Sequence, residues 1–167
     1  MRHLHGSAMA LAIAAIGLAS VNAAAQPPGG NLSIKNRNSG LCLDVAGDSD
    51  EPGARIIQNG CTSEEDQLFR FAEDGRNPGL YYIIVDRTGM CLGPQTNSPM
   101  APIVQARCTT QDHHKFRVEP RSGRYRRIVS VASGLCLAVQ GSSSEEGARI
   151  VHFGCSGRPN QQFEFVR

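Results

Sequence analysis

Apolar residues recur at every second position in short runs along this chain. Phe69 and Phe71 flank Arg70, Phe116 and Val118 flank Arg117, and Phe163 and Phe165 flank Glu164. A spacing of two puts both side chains on one face of a strand. Leu32 and Ile34 alternate with polar neighbours in the same way. Gly79–Asp86 (GLYYIIVD) and Tyr125–Val131 are rich in aromatic and β-branched residues. Gly, Pro, Asn and Ser cluster between these runs, at 47–53, 97–102 and 141–147. Beyond residue 25 there is no long helical period, so the pattern predicts an all-β sandwich or barrel of many short strands.

The pattern repeats. Ser39–Cys61 and Ser133–Cys155 have equal length and agree at 15 of 23 positions. Both begin SGLCL, share GARI and close on Gly-Cys. A more diverged copy lies between them, from TGMCL at 88–92 to PIVQARC ending at Cys108. Cys61, Cys108 and Cys155 are each 47 residues apart, and three such units span nearly all of residues 26–167. Such self-similarity at a fixed period marks a repeat architecture. Three copies in one domain point to a closed, pseudo-threefold barrel, because a propeller normally has at least four blades. The repeats run over about 31–72, 79–119 and 125–167.

Six cysteines allow 15 pairings. Equivalent cysteines in equivalent repeats select Cys42–Cys61, Cys91–Cys108 and Cys136–Cys155. Each bridge closes a short loop and contributes on the order of 3 kcal/mol in the chain-entropy model. The competing reading, metal-bound thiols, lacks any Cys-x-x-Cys pair.

The N-terminus has another character. Arg2, His3 and His5 precede an uncharged apolar run from Ala8 to Ala19, and Ala23-Ala24-Ala25 stands before Gln26. This is the layout of a secretory signal peptide over residues 1–25, and it predicts a secreted protein, extracellular or periplasmic. An uncleaved anchor is disfavoured, since a span needs about 20 apolar residues. The formal charge of +2 names no partner. Its distribution is uneven, with seven acids and three bases over 26–66, and six bases and one acid over 115–127.

Three Gly-x-Cys-Leu segments, three internal cysteine pairs and a closing Gln-x-aromatic-x-apolar strand resemble the ricin B-type β-trefoil lectin family. The closing motif stands as Gln67-Leu68-Phe69, His114-Lys115-Phe116 and Gln161-Gln162-Phe163. The family usually places Trp where this chain has Phe, and this chain has no Trp. The resemblance implies a twelve-stranded β-trefoil over residues 26–167, six strands forming a barrel and six capping it as hairpins. It also implies up to three shallow sugar sites, one per repeat. The expected partners are glycans of galactose type, and no cofactor, metal or enzymatic activity is expected. A carboxylate would accept hydrogen bonds from vicinal hydroxyls, and an aromatic ring would cover the sugar's C–H face.

Carried over by position, the carboxylate slot holds Asp44, Gly93 and Ala138, and the ring slot holds Asn59, Ala106 and Phe153. The polar pair holds Asp66-Gln67, His113-His114 and Asn160-Gln161. No copy is complete. The candidate carbohydrate-binding residues are Asp44, Gln58, Asn59, Asp66 and Gln67 in the first repeat, and Phe153, Asn160 and Gln161 in the third. The first repeat is the leading candidate and the middle one reads as inert.

Each residue also has a plainer role open to it. Asp44 suits a turn, Gln67 and Gln161 suit backbone anchoring, and Phe153 suits packing. His113-His114 suggests a metal only weakly, because neighbours on a strand face opposite ways. The acids Asp48, Asp50, Glu51, Glu64, Glu65 and Asp66 read as solvated hairpin tips, since they do not fit the spaced loop of helical calcium hands. Arg121–Arg127 reads as an exposed charged strand before it reads as a polyanion grip. No nucleophile elbow or His-Glu-x-x-His motif frames a catalytic site. The expected function is therefore a secreted sugar-binding module, with no nucleic-acid partner. A trefoil that binds a protein, as an accessory or targeting subunit, is the alternative.

Overall fold

Twelve β-strands carry the repeat, four in each copy, in a computed structural model that describes residues 26–167. The signal-peptide reading of residues 1–25 lies outside the described residues. Among those described, no helix is long and apolar enough to cross a membrane. The first repeat contributes β1 (Asn31–Asn36), β2 (Cys42–Val45), β3 (Ile56–Asn59) and β4 (Phe69–Glu73). The second contributes β5 (Leu80–Val85), β6 (Cys91–Pro94), β7 (Ile103–Ala106) and β8 (Phe116–Pro120). The third contributes β9 (Arg126–Ser130), β10 (Cys136–Val139), β11 (Ile150–Phe153) and β12 (Phe163–Val166).

The outer strands of each repeat close into a ring. β1 pairs β4, β4 pairs β5, β5 pairs β8, β8 pairs β9, β9 pairs β12, and β12 returns to β1, all antiparallel. The ring has no free edge, so no open row of N–H and C=O groups invites aggregation. The inner strands form three capping hairpins, β2–β3, β6–β7 and β10–β11. This is the expected β-trefoil. All three expected disulfides are present, with Cα–Cα separations of 5.0, 4.9 and 5.1 Å.

The core is threefold because the sequence is. Phe69, Phe116 and Phe163 are fully buried, as are Ile34, Ile83 and Ile128 from the barrel strands. Leu43, Leu92 and Leu137, with Ile56, Ile103 and Ile150, bring the hairpins into the same cluster. Each triplet comes from equivalent positions, so alternation along every strand supplies one apolar layer. Phe takes the Trp role with less volume, and its ring is still sealed from water.

A second set of contacts lies where the hairpins meet. Single bridges join Arg55 to Val104, Pro102 to Val151 and Arg149 to Ile57, one per repeat boundary. Beside them, a buried side chain from each hairpin holds a loop of the preceding repeat. Gln105 Nε2 donates to the carbonyls of Ser49 and Glu51 at 2.7 and 3.0 Å. Gln58 Nε2 donates to those of Ser143 and Glu145 at 3.1 and 2.8 Å. In the third repeat His152 takes the slot, with Nε2 2.8 Å from the Ser98 carbonyl and Nδ1 3.0 Å from Ser133 Oγ. Every polar atom of Gln58 is thereby used, since its Oε1 accepts from Ser39 Oγ at 2.7 Å. Gln58 is fully buried. Its assignment as a sugar-binding residue is corrected: it faces the core side of β3, and the alternation that exposes Ile57 and Asn59 turns it inward.

The basic segment is also absorbed by the fold. Glu119 pairs with Arg117, Arg121 and Arg127, and Arg124 Nη1 lies 3.2 Å from Glu164. Lys115 is buried between Asp74, at 3.1 Å, and Asp112, at 3.3 Å.

Phe116→Ala removes one member of the aromatic layer and leaves a cavity that the barrel cannot collapse around. It is expected to lower unfolding free energy by about 3–5 kcal/mol, read as a shift in urea midpoint at unchanged slope.

Candidate functional site

Each hairpin has an inner face that feeds the core and an outer face that does not. In β2–β3, Cys42 lies opposite Asn59 and Asp44 opposite Ile57. In β10–β11, Cys136 lies opposite Phe153 and Ala138 opposite Val151. With a period of two, Asp44, Ile57 and Asn59 share one outer face, and Ala138, Val151 and Phe153 share its equivalent. The 3₁₀ turn that precedes the closing strand, Glu65–Gln67 or Pro159–Gln161, brings the polar pair alongside.

The three outer faces have diverged to different ends. In the first, Asp44 is 6% exposed and its Oδ2 accepts from Asn59 Nδ2 and Gln67 Nε2, both at 2.9 Å. Asn59 also accepts from the Gly147 N–H at 3.0 Å through its Oδ1. The residue in the ring slot therefore locks Asp44 instead of offering a sugar platform. Asp48, from the 3₁₀ turn Ala46–Asp48, and Asp66 converge on Asp44, with one carboxylate oxygen from each lying within 4.8 Å of the others. Asp66 is 4% exposed, so it is no solvated tip.

The middle face is filled. A Cβ at Gly93 would sit 2.8 Å from the His113 carbonyl and 2.8 Å from His114 Cδ2. His114 occupies the space a carboxylate would need. Its Nδ1 accepts from the Thr109 N–H at 3.0 Å, the bond that Gln67 Oε1 makes with Thr62 and Gln161 Oε1 with Ser156, each at 2.8 Å. Gln67 and Gln161 are thus loop anchors, and Nε2 of each also reaches a glycine carbonyl, Gly60 or Gly154.

The third face is open. A cleft of about 460 Å³ is lined by Ala138, Val151, Phe153, Asn160, Ser142, Arg158 and Met100. Phe153 is 48% exposed, unusual for a large apolar ring. Asn160 Nδ2 donates to the Val139 carbonyl at 3.1 Å, while its buried Oδ1 has no partner. Met100 arrives from the middle repeat. It holds φ at +68°, in the slot where the other repeats place Gly53 and Gly147. A side chain in that conformation is strained by roughly 1–2 kcal/mol. Where the first face has Asp44, Asp48, Glu64 and Asp66, this one has Ala138, Ser142, Arg158 and Asn160. Sequence alone marked Phe153, Asn160 and Gln161; Met100, Val151, Ser142 and Arg158 were missed. The broken glycine at position 100 is the one signal that could have found Met100.

Residues 30–163 match the ricin-type beta-trefoil lectin domain. The chain belongs to this family. It is therefore a lectin-type, carbohydrate-binding module by descent. No curated protein matches it significantly. Among solved structures it is similar to ThreeFoil, a designed threefold-symmetric protein, at 27% identity and a TM-score of 0.78, over 82% of this chain and 98% of that one. It is also similar to the hemolytic lectin CEL-III, at 27% identity and a TM-score of 0.69, over 82% of this chain and 30% of that one. An exo-beta-1,3-galactanase from Clostridium thermocellum shares the fold at 22% identity and a TM-score of 0.79, over 84% and 30% of the two chains. The trefoil thus spans nearly all of the designed protein and less than a third of the other two.

Two histidines give this lectin fold a pH dependence. Burial, with His113 adjacent, pushes the His114 pKa down to about 4. Burial also lowers that of His152. Both are depressed in the folded state, so the unfolded chain takes up protons first as pH falls. Stability is then full above about pH 6.5 and declines toward pH 4. His114→Gln installs the residue of the other repeats and is expected to recover roughly 5 °C of the Tm lost over that range, read from melting curves against pH. Gly93→Asp, by contrast, is expected to cost about 1–3 kcal/mol through overpacking against His114, measurable by chemical denaturation.

Proposed function

We propose that this protein is a secreted lectin that holds a galactose-type sugar in the cleft of its third repeat. The observation that carries this reading is the exposed Phe153 ring at one wall of a cleft that Ser142, Arg158 and Asn160 also line. A galactose-type ring has an axial O4, which leaves C–H groups contiguous on one face. That face packs on an aromatic ring, and hydroxyls on the opposite edge hydrogen-bond to polar lining side chains such as Ser142 and Arg158. Met100 supports the reading. A residue held at a strained backbone position, where glycine would serve the fold, points to a role for its side chain in the cleft. Likeness to CEL-III, described as a hemolytic lectin, supports sugar binding in general. The signal-peptide pattern before Gln26 supports secretion. The emphasis moves from the first repeat to the third, because Asp44 is enclosed by Asn59 and Gln67.

One shallow cleft without a carboxylate makes a weak site, on the order of millimolar, and avidity on a multivalent glycan would strengthen it. Titrating galactose, N-acetylgalactosamine and glucose by NMR tests the proposal. Phe153→Ala is expected to weaken binding by about tenfold or more, equivalent to 1.4 kcal/mol, with Tm little changed. Equal affinity in wild type and variant, or no response to any galactose-type sugar, sinks it.

Two further variants probe the same cleft from opposite sides. Ala138→Asp places a carboxylate where Gln161 Nε2 can donate to it, as Gln67 does to Asp44, and is expected to tighten binding. Met100→Gly is expected to weaken binding while leaving stability unchanged or raised by up to about 1 kcal/mol. A single titration series with both variants reads the two signs together.

A further inference from the structure

We infer that the third-repeat cleft takes an acidic galactose-type sugar, with its sulfate ester or carboxylate held by Arg158. The inference rests on the reading of that cleft as a sugar site and names the class of sugar it selects.

The first and third repeats differ in charge where they are otherwise alike. At equivalent positions the first has Asp44, Asp48, Glu64 and Asp66, and the third has Ala138, Ser142, Arg158 and Asn160. Four carboxylates have given way to one guanidinium. All four of the third-repeat residues line the cleft, and no acidic residue does. The loop between β10 and β11 carries two acids, Glu145 and Glu146. Neither lines the cleft, and Glu146 turns to the first repeat, where it accepts from the Gly60 N–H at 2.9 Å.

This exchange alters what the cleft can recognise. A neutral sugar presents hydroxyls, and the strongest acceptor for a hydroxyl is a carboxylate. The cleft has none to offer. Asn160 Nδ2 is spent on the Val139 carbonyl at 3.1 Å. Arg158 brings five N–H donors and no acceptor. A guanidinium gains most from an oxyanion, which it can bond at two points at once.

Arg158 is free to do so. It is exposed, and among the described residues its guanidinium has no ion-pair partner. Nor does it stack on Phe153, since the cation–π contact among the described residues is Arg37 over Tyr125. The ring and the guanidinium are therefore both available, one for the C–H face and one for the charged substituent. Ala138, Val151, Phe153 and Met100 give the cleft apolar walls, against which an ion pair is less weakened than in open water. Its volume of about 460 Å³ has room for a sugar ring and its substituent, within the roughly 300–1,000 Å³ of small-molecule sites.

The test titrates the full mature chain by NMR with galactose, the galactose monosulfates and galacturonic acid. The readout is the ratio of acidic to neutral affinity, with Tm checked for each variant. At low salt at least one acidic sugar is expected to bind about fivefold tighter than galactose, the upper end for an exposed ion pair, and NaCl is expected to narrow the ratio. The monosulfate and uronate arms show which oxyanion is preferred. Arg158→Gln is expected to bring the ratio near one. Arg158→Glu installs the first repeat's charge and is expected to take it below one. Arg124→Gln, on the basic turn between β8 and β9, is expected to leave the ratio as in wild type. Galactose binding that needs Phe153 but shows no acid preference overturns this inference alone. So does a preference that survives Arg158→Glu, or one that Arg124→Gln abolishes. No response to any of these sugars, or responses indifferent to Phe153→Ala, overturns the sugar reading of the cleft and this inference with it.

Discussion

The hydrogen bond from a buried hairpin side chain to the loop of the preceding repeat is the contact on which this molecule depends. A barrel strand finds its partners by backbone pairing along its length, but a hairpin cap meets each neighbouring cap through only a single backbone bridge. Gln58, Gln105 and His152 meet that need in turn, each fully buried and each bonded to carbonyls of a neighbouring repeat. A buried amide or imidazole left unbonded would cost more than the bond returns. The three ties hold loops that border the outer faces. The position of Met100 beside the third cleft follows from this, since its own N–H donates to the His152 carbonyl at 2.9 Å.

Division of labour between the two faces of each hairpin explains why the sites could diverge while the fold did not. Inward residues are tied to two other repeats and to the sealed core. Outward residues are tied mainly to their own loop. The same outer position can then hold Asp44 in a polar lock, Gly93 under a histidine ring, or Ala138 at the floor of a cleft. Substitution at that position changes what the surface can bind and leaves the barrel intact, except in the middle repeat, where His114 has taken the vacant volume. The closing Gln serves the fold in the first and third copies and is replaced by an imidazole in the middle one, with the same acceptor role toward a backbone N–H.

Much of this was legible in the letters. Strand alternation, the 47-residue period and cysteine equivalence each reported a local or symmetric rule, and symmetry made the disulfide pairing unique. Phe153 and Asn160 were legible as well, because they stand at repeat positions that the core does not claim. The misreadings share one cause. Gln58 stands next to Asn59 in sequence, yet one residue along a strand reverses the face. Asp48 and Asp66 looked like members of a diffuse acidic stretch, and only folding brings them to Asp44 across 22 residues of chain. Met100 belongs by sequence to one repeat and by position to the cleft of another.

The sequence by itself determined the class of fold, the number of repeats, the bridges and the membership of the core. These follow from periodicity, and periodicity is a property of a linear chain. Tertiary structure decided which repeat is open, which is filled and which is locked. Those outcomes turn on side chains that meet from separate strands and turns, at distances of a few ångströms that no spacing along the chain encodes.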